Sequence, residues 1–546
     1  MLKPVFKEYN QQQMTLFPQR LDERISADSP VRLINQIVDN LDITAVEKTY
    51  KGGGTSGYHP RMMLKVLFYA YMNNIYSCRK IHKLLLENIH YMWLSGNQTP
   101  DYRTINNFRS LHLKGKINKL FTQVVILLVE MGYITLQTVY IDGTKMESRA
   151  NRYTFVWRKS VEKNRVKLEA KIRKVLEMIE EGIAQDNLPD EEPPTPINSD
   201  ELKKKIAEIN RENLSKEEKT AVKTLENKYL PKLQEYETKL EKLGNRNSYS
   251  KTDESATFMR LKDDHMQNGQ LKPAYNLQIG TENQFITHYD FFSNPTDTRT
   301  MIPFFNNWKN NYQKMPKIAV ADAGYGSEEN YEYMENAHIQ AFVKYNYFHA
   351  EQKKKFRENI FLTQNLFYNE KYDYFVCPMG QHLEKKHVTT KTNEYGYKSE
   401  ITVYEAQNCE KCPLKCLCFK AKGNRKIEIN HNLRRLKNKA RELLHSEEGI
   451  AHRKRRCCEP EPVFSHIRYN GQYLRLRHFG QQKVEMDFGI FAIALNIKKM
   501  HKKWAKSAKN HNQNQKDAKS TKTYLLLLFL YEKKTYTQTK TLKIAA

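Results

Sequence analysis

Residues 139–153 read VYIDGTKMESRANRY, an abrupt passage from β-prone residues into charge. Val139, Tyr140 and Ile141 close the alternating, β-branched run TLQTVYID (135–142), which predicts a buried strand ending at Asp142. A second short apolar run, PKIAVADAGYG (316–326), predicts another strand that ends on an aspartate, Asp322. Either residue alone reads equally well as a turn at a strand end. Together they bring two carboxylates to the C-terminal ends of two strands, and such a pair does not sit ionised in one cleft without a cation. Hard oxygen donors of this kind take Mg²⁺ or Mn²⁺.

A third acid is needed, and HRKRRCCEPEPVFSHIRYN (452–470) offers one in a very basic setting. Pro460 and Pro462 suit the first turn of a helix, where a missing N–H costs nothing. Glu461 then lies in that turn, favoured by the helix dipole, with Phe464 and Arg468 on its face. Glu459 is an alternative, and Glu485 in QQKVEMDFGIFAIALNIKKM (481–500) another. Two divalent ions held this way would activate a water or a 3′-hydroxyl for in-line attack on a phosphodiester and stabilise the leaving oxygen. Asp142 would bridge both ions, with Asp322 and Glu461 completing one coordination sphere each. Lys145, Arg149 and Arg468 are the candidates for holding the phosphates of the scissile strand.

Around these segments the chain is mixed α/β. MMLKVLFYAYM (62–72), RKIHKLLLENI (79–89) and KINKLFTQVVILLVEMG (116–132) place apolar residues at helical spacing and predict an all-helical N-terminal unit. A strand pair is expected over YNLQIGTENQFITHYDFF (275–292), with turn chemistry at Gly280–Asn283. Between the two aspartates, Val161, Leu168, Ile172, Val175, Ile179 and Ile183, and then Leu225, Tyr229, Leu233, Tyr236, Leu240 and Leu243, recur at helical spacing. The break NLPDEEPPTPINSD (187–200) separates the two sets, so a helical hairpin is inserted there. The polar, lysine-rich stretch 501–523 reads as a flexible tail.

Ninety Lys and Arg against 62 Asp and Glu give a formal net charge of +28, which points to a polyanionic partner. The longest apolar run, YLLLLFLY (524–531), is too short to span a bilayer, and the N-terminus lacks a signal-peptide core. A cytoplasmic protein without a membrane partner is expected. Of eight cysteines, four lie between Cys409 and Cys418, with Cys377 in FVCPMGQHL (375–383) as a distant fifth thiol. Such clustering in a reducing compartment suggests a four-ligand structural Zn²⁺ rather than disulfides, with His382 able to replace one thiol.

VYIDGTKMESRANRY, LKPAYNLQIGTENQFIT (271–287), VADAGYGSEENY (320–331) and the run from Glu459 to Met500 together resemble the DDE-type transposases of bacterial insertion sequences. YHPRMMLKVLFYAYMNNIYSCRKI (58–81) and TPDYRTINNFR (99–109) are similar to the helical N-terminal domain of one branch of that family. The resemblance runs over about residues 5–505. It implies a ribonuclease H-like catalytic fold holding divalent metal on Asp142, Asp322 and Glu461. It also implies a cysteine-containing insertion, favouring Cys377, Cys409, Cys412 and Cys418 as the zinc ligands. One departure is Cys457, four residues before Glu461, where many relatives carry arginine.

The domain plan expected from this is a helical DNA-binding domain over 1–130 and a catalytic core from 133–157, 250–376 and 452–505. A helical insertion over 158–249, a zinc-ribbon-like insertion over 377–420 and a basic tail over 506–546 complete it. The implied function is end cleavage and strand transfer on terminal inverted repeats and target DNA, by a dimer working at the nucleoid. A metal-dependent nuclease without strand transfer, or an inactive DNA-binding remnant, is the alternative.

Overall fold

The computed structural model describes residues 20–50, 56–181, 197–209, 214–261, 269–394 and 396–514. Residues 1–19, most of the NLPDEEPPTPINSD break, and 515–546 with its apolar run therefore lie outside the described residues. By its internal contacts the chain divides into two units: Met1–Tyr133 with Met486–Ala546, and Ile134–Glu485.

The first unit is helical. Its helices include Pro30–Asn40, Pro60–Met72, Cys78–Glu87, Ile89–Ser95, Tyr102–Asn107 and Ile117–Glu130. Proline opens two of them, where its absent N–H is not missed. The side chains of Asn88 and Asp101 cap two others by accepting from the N–H groups of His90 and Thr104. The long helix Gln481–Asn514 belongs to this unit from Met486 onward. Asp487, 1% exposed, is the physical reason. The Tyr71 hydroxyl donates to it, Arg109 stands 3.6 Å away, and Arg109 also donates to Tyr71 at 2.8 Å. A buried carboxylate is stable only where such partners meet it. Residues 501–514 continue this helix rather than beginning the tail, because a nucleated helix propagates cheaply through residues such as Lys and Ala.

The second unit is built on a six-stranded mixed sheet. Its central strand, Thr138–Glu147, is paired antiparallel with Leu271–Glu282 on one side and parallel with Ile318–Ala321 on the other. Gln340–Val343 adds parallel to the far side of Ile318–Ala321. Beyond Leu271–Glu282, Phe285–Phe292 and Thr257–Arg260 pair antiparallel along different lengths of it. Val139, Tyr140, Ile141 and Ala319–Ala321 are all buried, as strands in a sheet interior must be.

The hairpin turn falls at Asn283–Gln284, both with positive φ (54° and 62°), as a two-residue type I′ turn demands. The expected turn glycine, Gly280, instead lies within the strand at a register shift. A β-carbon there would come within 2.8 Å of Val139 and 3.1 Å of Phe304, so glycine lets the neighbouring strand and helix close in.

Two excursions leave this sheet. Phe155–Trp157 and Ser248–Ser250 pair antiparallel, so the chain departs and returns at one place. Between them, helices Arg158–Glu181, Ser199–Glu208, Lys216–Thr224 and Leu230–Leu243 gather their own core. It includes Val161, Leu168, Ile172, Ile179, Leu225, Leu233 and Leu243. The second excursion is a five-stranded antiparallel sheet running from Phe367–Asn369 to Lys426–Ile429, longer at both ends than a 377–420 insertion.

Candidate active site

Asp142 does not end its strand, which continues through Gly143 to Glu147. What ends there is the parallel neighbour. The pairing runs Thr138 with Ile318, Val139 with Ala319 and Tyr140 with Val320, after which Ile318–Ala321 stops. Two residues further along the same register, Asp142 and Asp322 stand side by side where one strand has lost its partner. Asp322 then caps the turn Ala323–Tyr325 by accepting from the Gly324 N–H at 2.9 Å, and Asp142 accepts from the Gly143 N–H at 2.9 Å.

Arg456 lies between them. Its Nη2 is 3.1 Å from Asp142 Oδ2 and 3.5 Å from Asp322 Oδ2, and its Nε is buried without a hydrogen-bond partner. Burial pushes the Asp142 carboxyl up to about 6. The Arg456 charge pulls the other way, while Asp322 and Asp297 reinforce the rise. Asp297 is a neighbour that strand and turn signals passed over. It sits in the turn Asp297–Arg299 before helix Met301–Tyr312, outside any strand.

The glutamates separate by their use. Glu459 is buried and both oxygens are engaged: Oε1 accepts from Arg455 Nε at 3.0 Å and Oε2 from the Gln284 N–H at 2.7 Å. It anchors the tip of the hairpin, to which Gln284 adds a bond to the Cys458 carbonyl. Glu461 is exposed in the first turn of helix Pro460–Ser465 and makes no hydrogen bond or ion pair among the described residues. That helix packs against the strand carrying Asp142. Glu485 lies elsewhere, accepting from Gln481 at 2.9 Å.

Of the expected phosphate contacts, Arg468 donates to the Thr144 hydroxyl two residues past Asp142, and burial lowers its pKa. Lys145 donates to the Arg260 carbonyl at 3.3 Å, and Arg149 is exposed. Among the described residues no three His, Cys, Asp or Glu side chains stand close enough to hold one metal ion. The donors at Asp142 and Asp322 nevertheless fit a divalent cation in kind. Both are hard carboxylates, and the chain already places a positive group between them.

In the five-stranded sheet, Cys377, Cys409, Cys412 and Cys418 line one cavity of about 20 Å³, while Cys416 is exposed. Arg425 reaches in, its Nη1 donating to Cys418 Sγ at 3.0 Å. His382 is stacked on Tyr374 with ring centres 3.9 Å apart.

Residues 376–501 match the family model described as "Transposase DDE domain", and residues 19–111 match a second, "Transposase domain (DUF772)". No curated protein matches the chain. Among the described residues no helix is long and apolar enough to cross a membrane.

Proposed function

We propose, for a chain that is a DDE-type transposase of an insertion sequence, that Asp142, Asp322 and Glu461 hold divalent metal for DNA end cleavage and strand transfer. The observation that carries this reading is the pair Asp142 and Asp322, side by side where the parallel neighbour of the central strand stops, and bridged by Arg456. The strand order, with the antiparallel hairpin on one side of the central strand and two parallel strands on the other, supports a ribonuclease H-like core. Glu461 is preferred over Glu459 because both oxygens of the latter are committed to the hairpin tip.

Bound Mg²⁺ or Mn²⁺ supplies the Lewis acidity that activates a water or 3′-hydroxyl and stabilises the leaving oxygen of a phosphodiester. The rest falls to the chain. Asp142, ionised above about pH 6, and Asp322 supply negative charge from a rigid sheet. Arg456, beside both carboxylates, would supply a positive charge to a phosphate of the scissile strand. Arg468, tied to Thr144, and the neighbouring Lys145 and Arg149 hold further phosphates and fix the register of the DNA. The helical unit recognises the terminal inverted repeats, and two copies are needed to bring two ends together. The thiols of Cys377, Cys409, Cys412 and Cys418 hold a structural Zn²⁺ away from the chemistry.

The test uses the full chain with DNA carrying the element's two ends and Mg²⁺. Cleavage and joined products are expected from the parent. Asp142→Asn, Asp322→Asn and Glu461→Gln should each lose cleavage by at least about 100-fold while still shifting end DNA, whereas Glu459→Gln should keep it. Cleavage surviving in Asp142→Asn would sink the assignment. A pre-cleaved end that yields no joined product would make the protein a nuclease without strand transfer.

A further inference from the structure

Resting on the reading that DNA is cut beside Asp142 and Asp322, we propose that Lys344 and Arg453 form, with Arg456, an anion site that holds a phosphate of the same DNA strand next to the one attacked. The sheet carries a third position along the edge where the two aspartates stand. Ala321 pairs with Val343 in the parallel register, and the Lys344 N–H still donates to the Ala321 carbonyl at 3.4 Å. Lys344 is thus set beside Asp322, one strand spacing of about 4.8 Å further from Asp142. Helix Glu447–Arg456 packs against Ile318–Ala321 and Gln340–Val343, and it carries Arg453 and Arg456 one turn apart on one face.

A surplus of cations marks the place. Lys344 is half-buried and makes no side-chain hydrogen bond or ion pair among the described residues. Burial, and then the charges of Arg456 and Arg453, lower its pKa, with Cys457 and Asp322 opposing only in part. Arg453 pairs with no carboxylate among the described residues either: its Nε is buried without a partner, and its guanidinium lies 5.4 Å from the ring centre of Phe348. Arg456 Nε is a second orphan, while its Nη2 is shared between Asp142 and Asp322. The same field reaches exposed His349, whose pKa falls through slight burial and the charges of Lys344, Arg453 and Lys353. Glu351, an acid in that loop, is already committed, accepting from the Tyr345 hydroxyl at 2.7 Å and from Arg441 at 3.0 Å. Cations that face one another in a half-buried site cost the fold stability until an anion joins them. A phosphate fits, because its several acceptor oxygens can be shared between an ammonium and a guanidinium.

Binding of end DNA to the full chain without divalent metal, read by fluorescence anisotropy, should weaken by at least about 10-fold in Lys344→Gln with Arg453→Gln. Lys344→Arg, which keeps the charge, should bind as the parent does. Single phosphates near the cleaved bond, replaced in turn by neutral methylphosphonates, separate a phosphate contact from a structural role. In the parent, one position flanking that bond should cost about the same 10-fold; in the double variant that position should cost nothing further, while the others keep their full cost. The melting temperature should not fall, because the side chains removed repel each other. The same scan on Lys344→Gln alone decides the matter if the double variant does not fold. Parent-like binding by the double variant, or the same methylphosphonate costs in variant and parent, would overturn this inference alone, provided the parent cuts and Asp142→Asn does not. Cleavage surviving in Asp142→Asn would instead overturn the reading on which it rests.

Discussion

Asp142 is a carboxylate that the fold buries and the proposed chemistry needs charged. Its pKa rises from 3.8 to about 6, chiefly through burial, with Arg456 opposing the rise. Because the folded-state value is the higher one, the protonated form favours folding. That contribution is complete below about pH 3.8 and is lost as pH climbs through about 6. At 1.36 kcal/mol per tenfold, the shift is worth at most about 3 kcal/mol. Asp142→Asn should therefore melt at a higher temperature than the parent at about pH 8 without divalent metal, and the gap should narrow toward about pH 5. Equal melting temperatures across that range would mean that burial of this charge costs the fold nothing. The same residue explains Gly143: a side chain there would run into Gln278 and Asp297, so the glycine belongs to the site's packing and not to a turn.

At the scale of elements, the two excursions from the sheet differ in what holds them. The helical insertion has an aliphatic core of its own, with Ile172, Leu202, Leu225, Leu233 and Leu243 fully buried. The five-stranded sheet is poorer. Its cluster is Leu366, Phe375, Leu383, Tyr404, Ala406, Cys409, Ile427 and Ile429, and one end of it is the thiol-lined cavity. A small apolar cluster of this kind is where a structural metal adds most. The purified chain should carry about one equivalent of zinc, and Cys409→Ser with Cys412→Ser should remove it and speed proteolysis within 407–425. Cys416→Ser should leave zinc content unchanged. A parent protein free of zinc would mean that the thiols, with Arg425 among them, pack without metal.

For the whole molecule the governing quantity is charge. A net +28 distributed along the chain would make the proposed DNA binding dominated by counterion release, with log affinity falling against log salt at a slope of about −0.9 per phosphate contact. Lys145→Ala with Arg149→Ala should flatten that slope by about 1.8 on end DNA, measured by fluorescence anisotropy across a salt series. An unchanged slope would place these two side chains off the phosphate path. Among the described residues neither pairs with a carboxylate, so little stability should change with them.

What could be read from the chain without its structure is what a few neighbouring residues encode. Helical spacing marked Pro60–Met72, Ile117–Glu130 and the insertion's helices, and apolar runs marked the strands that deliver Asp142 and Asp322. Cysteine spacing singled out a cluster. Register and convergence were not legible, because they depend on which strands pair and where each partner stops. Only the tertiary structure decided that Asp142 lies mid-strand beside a strand end, and that Arg456 fills the space between two aspartates. It also gave both oxygens of Glu459 to the hairpin tip and left Glu461 without a hydrogen bond or ion pair among the described residues, and it joined Met486 onward to the helical unit through the buried Asp487. Asp297 is the clearest case. It sits in a three-residue turn with no periodicity around it, and its relation to Asp142 arises from a hairpin that carries Asn276 and Gln278 underneath it. Short-range patterns are set by backbone geometry over one or two turns, whereas a charge finds its neighbours only once the sheet has closed.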